Sequence, residues 1–188
     1  VDAVKTFEEI KSKLHDSSDL KSRSVQFFGT PITICYFAEI TDNNLLNDTL
    51  IHPLLQYDQE VRPNIVETLK KDVLSNNEIV EFNNIQEAVD KLLAGNTLIL
   101  INNATKILGC DMEKIVVRAI MEPPTSVVIK GPREGFNESL KYNLALIRRR
   151  EKSDDLVVTN LEIGNLTKTQ VSVVYFNSVA DKKVVKKV

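Results

Sequence analysis

The sequence has few cysteines and histidines, and this scarcity disfavours several kinds of site. The two cysteines, Cys35 and Cys110, lie far apart, each inside an apolar run, which is typical of buried reduced thiols. No Cys-x-x-Cys pair or Cys/His cluster has the spacing of a zinc site. His15 and His52 are the only histidines. We therefore expect no metal site, no histidine-based catalytic site and no cofactor.

The chain also lacks an excess of positive charge and a long apolar run. Its 24 basic and 26 acidic residues give a net charge of −2, which argues against a protein that mainly binds nucleic acid or anionic lipid. No apolar run reaches the roughly 18 residues that a membrane span needs. The first residues are not a signal peptide and include no initiator Met, and the last ones resemble the opening of a helix. Both ends suggest a piece of a longer protein.

With 188 residues, 43% of them hydrophobic, the chain can form one ordinary domain or two small ones. Residues 1–113 predict a first α/β subdomain. Its predicted helices cover residues 4–20, 42–57 with a kink or stop at Pro53, a segment beginning at Pro63, and 85–93. Its predicted strands cover residues 32–40, 97–101 and 106–110.

A second α/β subdomain is predicted over residues 125–188, after a connection at 114–124 that contains Pro123 and Pro124. It contains a strand at 125–130, a helix at 136–150 and strands at 156–163 and 168–176. We expect the α/β class, with α+β as the alternative, and two small subdomains that each hold a mixed sheet with packed helices.

The loop between the predicted strand and helix, GPREGF at residues 131–136, resembles a phosphate-binding loop only in outline. Pro132 removes an N–H group, Glu134 would repel an anion, and no Ser or Thr is placed for Mg²⁺. The alternative is a phosphate- or nucleotide-handling enzyme. We favour a tight turn, with Gly131, Pro132 and Gly135 in structural roles and with Arg133 either paired with Glu134 or reaching a partner. Gly164, in the predicted turn between the last two strands, is also expected to be structural.

The helix after this loop ends in three arginines. Its predicted apolar stripe consists of Phe136, Leu140, Leu144 and Ile147. Arg148, Arg149 and Arg150 form either a solvated cap or an arginine-rich surface that grips a partner. On the surface interpretation, Arg148→Ala or Arg150→Ala would impair function more than stability. The carboxylate pairs lie on polar faces or turns, and the sequence contains no GxSxG motif. We therefore expect no enzyme.

The second unit resembles the A-subunit family of bacterial spore germinant receptors, the GerA type. That family has a G-P-R-[ED]-G-F turn, a helix with N-x-A-L-I-R-R-R and a [IV]-G-x-x-T-K-T-x-V turn. The matching residues are Gly131–Phe136; Asn143, Ala145–Arg150; and Gly164, Thr167–Thr169 and Val171. Resemblance is strong over residues 122–176. One departure is Leu144, where the family has threonine or isoleucine.

The resemblance implies a soluble N-terminal domain of a receptor subunit in the spore inner membrane, with the spore-core side favoured. The partners it implies are other receptor subunits and a nutrient such as an amino acid, sugar or nucleoside, with membrane attachment through a further C-terminal part. The candidate binding residues are Arg133, Glu134, Asn143, Arg148, Arg149 and Arg150. Either a nutrient lies between the subdomains, or the domain is an assembly and relay surface. The sequence slightly favours the second.

Overall fold

The computed structural model describes residues 2–74, 78–114 and 135–187. Its α-helices are α1 (Ala3–Lys13), α2 (Asn43–Leu46), α3 (His52–Gln56), α4 (Ile65–Thr68), α5 (Ile85–Leu93), α6 (Leu140–Arg150) and α7 (Lys182–Val185). Its strands are β1 (Leu20–Phe27), β2 (Thr30–Phe37), β3 (Ile79–Phe82), β4 (Asn96–Ile101), β5 (Ile107–Asp111), β6 (Leu156–Ile163) and β7 (Thr169–Phe176). Two π-helical turns, Asn47–Ile51 and Leu69–Val73, continue α2 and α4.

Five strands form one antiparallel sheet in the order β1-β2-β4-β5-β3, and β6 and β7 form an antiparallel hairpin. The predicted combination of helices packed on sheets is confirmed. The expectation of mixed sheets is wrong for the described strands, because all their pairings are antiparallel. The division into subdomains at residues 113 and 125 stays a prediction, since most of the predicted connection lies outside the described residues.

Strand β1 is where the sequence prediction fails most clearly, because the helix predicted to residue 20 ends at Lys13. His15 and Asp16 have positive φ angles of 52° and 55°, which stop the helix. The chain then enters β1, an edge strand on which only Leu20, Val25 and Phe27 are buried. Because most residues of β1 are polar and exposed, its sequence lacks the apolar alternation that predicts a strand.

The sheet is covered by helices on both faces, and β2 shows how one strand serves two cores. Ile32 and Ile34 face a core shared with the helical run from α2 to the π-helical turn at Leu69–Val73. Cys35 and Phe37 face the other core, with α1 and α5. Alternate residues of a strand point to opposite faces, so a strand buried on both sides reads as a continuous apolar run.

The prolines act differently from the prediction. The run from α2 to α3 continues through Pro53, with the π-helical turn immediately before α3. Pro53 has no N–H to donate. The helix accommodates it by a local change to π-helical hydrogen bonding and does not end there. Pro63 lies outside its helix, because Asn64 caps the N-terminus of α4 and accepts a hydrogen bond from the Val66 amide at 3.0 Å.

Helix α6 and the β6–β7 hairpin form the C-terminal part of the described chain. The helix begins at Leu140 with Ser139 as N-cap, later than predicted. Phe136, expected in its apolar stripe, is 69% exposed. The buried residues of the helix are Leu144, Ala145, Leu146 and Arg148, so an arginine takes the place expected for a hydrophobic side chain.

Candidate functional site

Arg148, on the last turn of α6, is buried. Its Nε donates to Asp19 Oδ2 at 2.6 Å, and its Nη2 donates to Asp19 Oδ1 at 3.0 Å. The side chains of Arg148 and Asp19 are 1% and 0% exposed. The guanidinium carbon lies 4.5 Å from the centre of the Phe37 ring, a cation–π contact. The interpretation of Arg148 as a surface residue is therefore wrong.

The turn between α1 and β1 provides the other half of this contact. Ser17 Oγ donates to Asp19 Oδ1 at 2.7 Å and accepts from Arg148 Nη2 at 2.8 Å and from the Val158 amide at 2.8 Å. The Ser18 amide donates to the Val158 carbonyl at 2.7 Å. One buried serine thus connects α6, β6 and the turn. We call Ser17, Asp19, Phe37, Arg148 and Val158 the junction.

Arg149 contacts a neighbouring segment rather than the junction itself. Its guanidinium donates to the Lys114 carbonyl, and its Nε lies 3.7 Å from Glu113 Oε1. Thr41 pairs with Glu113 in an isolated antiparallel bridge, and the Lys114 amide donates to the Ile40 carbonyl at 2.8 Å. Arg149 therefore holds α6 against the extension of the sheet. Arg150 is exposed, so the three arginines do not form one surface.

Several buried polar atoms around the junction have no hydrogen-bond partner. Glu39 Oε2, Thr41 Oγ1, Arg148 Nη1 and Arg149 Nε are four of the five such side-chain atoms among the described residues, Thr97 Oγ1 being the fifth. Burial raises the pKa of the Glu39 carboxyl, and the nearby charge of Asp19 raises it further. Buried polar atoms are usually paired, so these four atoms keep hydrogen-bonding capacity that a water molecule or a ligand could use.

Asn143, another candidate binding residue, hydrogen-bonds the backbone of the segment just before α6. Its Oδ1 accepts from the Asn137 amide at 2.9 Å, and its Nδ2 donates to the Asn137 carbonyl at 2.7 Å. Both polar ends of the side chain are thus used on one backbone segment. The structure does not bring Asn143 into the junction. Gly131, Pro132, Arg133 and Glu134 lie outside the described residues.

Gly135 and Gly164 differ in backbone conformation and in the space available for a side chain. Gly164 has φ +91°, and an added Cβ would lie 2.6 Å from Thr167 Oγ1. Gly164 therefore has the positive φ that a turn glycine adopts, and its structural role stays a prediction. Gly135 does not have a positive φ, and an added Cβ would meet no atom within 4 Å. Gly135 thus shows no conformational or steric need for glycine, and its role in the predicted turn stays a prediction, since residues 131–134 lie outside the described residues.

We expect Gly164→Ala to lower the free energy of unfolding by about 1 kcal/mol or more, since alanine is strained at positive φ. Gly135→Ala is the matched control and should change it by less than about 0.5 kcal/mol. Urea denaturation followed by circular dichroism measures both. Equal losses in the two variants would contradict the assignment.

The two cysteines are buried, and the carboxylates of the described residues form no metal-binding cluster. Burial raises the pKa of Cys35 and of Cys110 to about 12, so both thiols stay protonated and unreactive at neutral pH.

Within residues 2–74, 78–114 and 135–187, no group of three or more His, Cys, Asp or Glu could hold a metal ion. In the same part of the chain, the helices are too short or too polar to cross a bilayer.

The arginines of the site are conspicuous in the sequence, whereas their partners are not. Ser17 and Asp19 lie 131 and 129 residues before Arg148, in a stretch assigned to a helix. Glu39 lies near the end of the strand predicted at residues 32–40, and Thr41 directly follows it, so neither was named as a candidate. A single Asp before the mostly polar strand β1 carries no local sign of its partner, so only the tertiary structure identifies the site.

The comparisons with known proteins agree with one another. A family model described as Bacillus/Clostridium GerA spore germination protein matches residues 8–188. Spore germination protein KA of Bacillus subtilis (strain 168) is 29% identical over 188 residues, covering 98% of this chain and 35% of that protein. Spore germination protein A1 of the same strain is 30% identical over 190 residues, covering 94% of this chain and 36% of that protein.

One solved structure is also similar: the crystal structure of the N-terminal domain of the A subunit of the Bacillus megaterium spore germinant receptor GerK3. It is 26% identical with a TM-score of 0.72, and the match covers 96% of this chain and 67% of that one. The chain spans about a third of the length of the curated relatives it matches.

Proposed function

The chain belongs to the Bacillus/Clostridium GerA spore germination protein family, and from this premise we propose that it senses a nutrient and relays the signal in a spore germinant receptor. The family inferred from the GPREGF, NLALIRRR and IGNLTKT motifs is thereby confirmed. In the proposal the chain acts as the N-terminal domain of an A subunit, without catalysis. It works with other receptor subunits at the spore inner membrane, on the spore-core side.

The observation that carries the sensing role is a set of buried polar atoms without hydrogen-bond partners on Arg148 of the junction and on Glu39, Thr41 and Arg149. Arg148 Nη1 and Arg149 Nε are donors, Glu39 Oε2 is an acceptor, and Thr41 Oγ1 can do both. Guanidinium groups bind carboxylates well, and a carboxylate binds an ammonium group. A small zwitterion such as a free amino acid supplies both charges and would satisfy donors and acceptor together. This favours the version in which the nutrient binds inside the domain.

The same contacts offer a route for the signal. Arg148 connects α6 to the turn before β1, and Ser17 connects that turn to β6. A ligand held by Arg148 and Glu39 would change the balance of charge around Asp19, which already affects Glu39. The position of α6 and of the β6–β7 hairpin relative to the five-stranded sheet would respond. This displacement is the change that partner subunits would detect.

The test is isothermal titration calorimetry of the 188-residue chain with L-alanine and L-leucine as probes. We expect saturable binding of at least one of them, weakened about tenfold or more by Arg149→Ala and by Glu39→Gln, because each variant removes a charged hydrogen bond. Lys141→Ala, on the exposed side of the same helix, is the matched control and should bind like the unchanged chain.

Two outcomes would remove the sensing role. One is that neither amino acid binds, and the other is that Arg149→Ala and Glu39→Gln bind as tightly as Lys141→Ala. In either case the domain would be an assembly and relay surface. Phosphate and ATP serve as further probes, because a rise in melting temperature with either would favour the phosphate-handling alternative instead.

A further inference from the structure

The turn between β1 and β2 places an aromatic ring on the surface at one end of the five-stranded sheet. Phe27 pairs with Thr30 in the ladder, so Phe28 and Gly29 form a two-residue turn. Their φ angles are 46° and 78°, the left-handed region that such a turn requires at both positions. Phe28 is 57% exposed, whereas Phe27 beside it is buried at 1%. The Phe28 side chain therefore belongs to the surface and not to the core.

Phenylalanine is not the residue that this turn favours. Asparagine, aspartate and glycine adopt a left-handed φ readily, whereas a bulky side chain in this region is an outlier that costs free energy. Asn-Gly at positions 28 and 29 would form the same turn with less strain. A strained residue that the turn does not favour and the core does not bury indicates a role for its side chain at the surface.

Two other rings hold the Phe28 ring in a defined orientation. Its centre lies 5.1 Å from that of Phe27 and 6.1 Å from that of Tyr57, in edge-to-face contacts. Tyr57 is itself half-buried against the core and lies 5.7 Å from Phe27. Leu55, two residues before Tyr57 at the end of α3, is 58% exposed and adds apolar surface. We call Phe28 and Tyr57 the aromatic patch.

The chain beside the aromatic patch carries unpaired negative charge. Asp58 and Glu60 follow Tyr57 closely and are exposed, and the Tyr57 hydroxyl donates to the Glu60 carbonyl at 3.3 Å. Among the residues that the structure describes, neither carboxylate forms an ion pair. Residues 40–61 contain four acidic residues and no lysine or arginine. Rings and free carboxylates therefore occur together on this surface.

The cations on neighbouring elements do not neutralise these two carboxylates. Arg62 is occupied by Asp72, with its Nε and Nη2 donating to that carboxylate at 2.6 and 2.8 Å. Lys106 donates to Glu81 at 2.7 Å. Arg23 lies four residues before the end of β1, roughly 14 Å along the strand. The negative charge beside the rings is thus left for a partner.

We propose that the aromatic patch docks a segment of a protein partner that carries an arginine beside an apolar side chain. The face of an aromatic ring attracts a cation, and a guanidinium group both stacks on rings and pairs with carboxylates. Phe28 and Tyr57 supply the rings, and Asp58 and Glu60 supply the carboxylates. Leu55 supplies apolar surface for the neighbouring side chain. Aromatic side chains held rigidly on a surface are typical centres of protein interfaces.

The same charges disfavour a membrane as the occupant. The cytoplasmic surface of a bilayer is negative, and Asp58 and Glu60 would be repelled by it. An exposed ring between two carboxylates therefore suits a basic protein segment better than anionic lipid.

The aromatic patch is separate from the junction. Thr30, the first residue of β2, directly follows the turn, and Phe37, the last, lies under Arg148. Eight residues of extended chain place these two ends roughly 24 Å apart. Docking at the patch therefore does not depend on amino-acid binding at the junction, and failure of L-alanine to bind concerns the junction alone.

The experiment titrates the 188-residue chain with the peptide acetyl-GRLLRG-amide and follows NMR chemical shifts. We expect saturable shifts centred on residues 26–30 and 55–60. Phe28→Asn should bind about tenfold more weakly, because it removes the exposed ring. Since Asn-Gly suits the turn, the melting temperature of this variant should be unchanged or higher, so weaker binding would not reflect a loss of fold.

A pair of charge reversals tests the carboxylates. Asp58→Lys combined with Glu60→Lys should also weaken binding about tenfold, because both partners of the guanidinium group are lost. Glu8→Lys combined with Glu9→Lys makes the same change in net charge on exposed positions of α1 and is the matched control. It should bind like the unchanged chain, and the peptide acetyl-GELLEG-amide should not bind.

Four outcomes would overturn the proposal. The first two are that the arginine peptide does not saturate at roughly 10 mM, or that Phe28→Asn binds it as well as the unchanged chain. The third is equal weakening by the two charge-reversal variants, because attraction would then depend on net charge alone. The fourth is that vesicles containing phosphatidylserine bind the unchanged chain and the arginine peptide does not, which would make the patch a membrane contact.

Discussion

Arg148→Ala is expected to lower the free energy of unfolding by roughly 3–5 kcal/mol, the usual cost of removing one partner from a buried ion pair. The substitution leaves the Asp19 carboxylate buried at 0% exposure with Ser17 as its remaining side-chain partner. It also removes the contact with the Phe37 ring and opens a cavity beside it. The chain would lose the contact that fastens α6 to the turn before β1.

Urea denaturation followed by circular dichroism measures this loss. Arg150→Ala, the same change two residues later on an exposed side chain, is the matched control and should stay within about 0.5 kcal/mol. Combining Arg148→Met with Asp19→Asn should cost less than the sum of the two single changes, because the double variant leaves neither charge buried alone. A loss for Arg148→Ala no larger than that for Arg150→Ala would contradict the buried contact.

This expectation reverses the one drawn from the sequence, where the three arginines looked alike. Identical neighbours on a helix point in different directions, about 100° apart. One of them is buried on Asp19, one lies against Glu113 and Lys114, and one is exposed. A run of charge is ordinarily exposed, so burial of its first member depends on a carboxylate that the fold supplies from far away in the chain.

Elements with a strong local pattern were predicted well. The helix Ile85–Leu93 and the strand Leu156–Ile163 have the predicted bounds. The first has a helical apolar face, an Asn84 cap and Gly95 after its end, and the second is a compact β-branched run. Strands β1 and β3 were missed, because their pairing with β2 and β5 stabilises segments whose own sequences are polar or short.

The site was predicted only in part, for the same physical reason. Arg148 and Arg149 were named because they are conspicuous in the sequence, whereas Ser17, Asp19, Glu39 and Thr41 are not. What makes these four important is burial and proximity to the arginines, and both are products of the fold. Asn143 was named from its motif, yet its amide binds the Asn137 backbone and stabilises the start of α6.

Gly109→Val is expected to lower the free energy of unfolding by roughly 1–3 kcal/mol, the usual cost of overfilling a packed core. Gly109 lies in the middle of β5, between Leu98 on β4 and Val80 on β3. A Cβ at this position would lie 2.6 Å from Cε2 of Phe82 and 3.4 Å from Leu98 Cδ2. Its φ is not positive, so the cost is steric and comes from the ring that covers the glycine.

Gly135→Val makes the same chemical change where an added Cβ meets nothing within 4 Å, so it should leave stability within about 0.5 kcal/mol. Phe82→Leu alone should be destabilising, because Phe82 is buried at 4% exposure. In the Gly109→Val background it should cost less, since the smaller side chain gives the new methyl groups room. Additive losses in the double variant would contradict direct contact between the two positions. Such coupling would show that the Phe82 ring adds to the β3–β5 ladder in holding this edge strand, on which Glu81 accepts a hydrogen bond from Lys106.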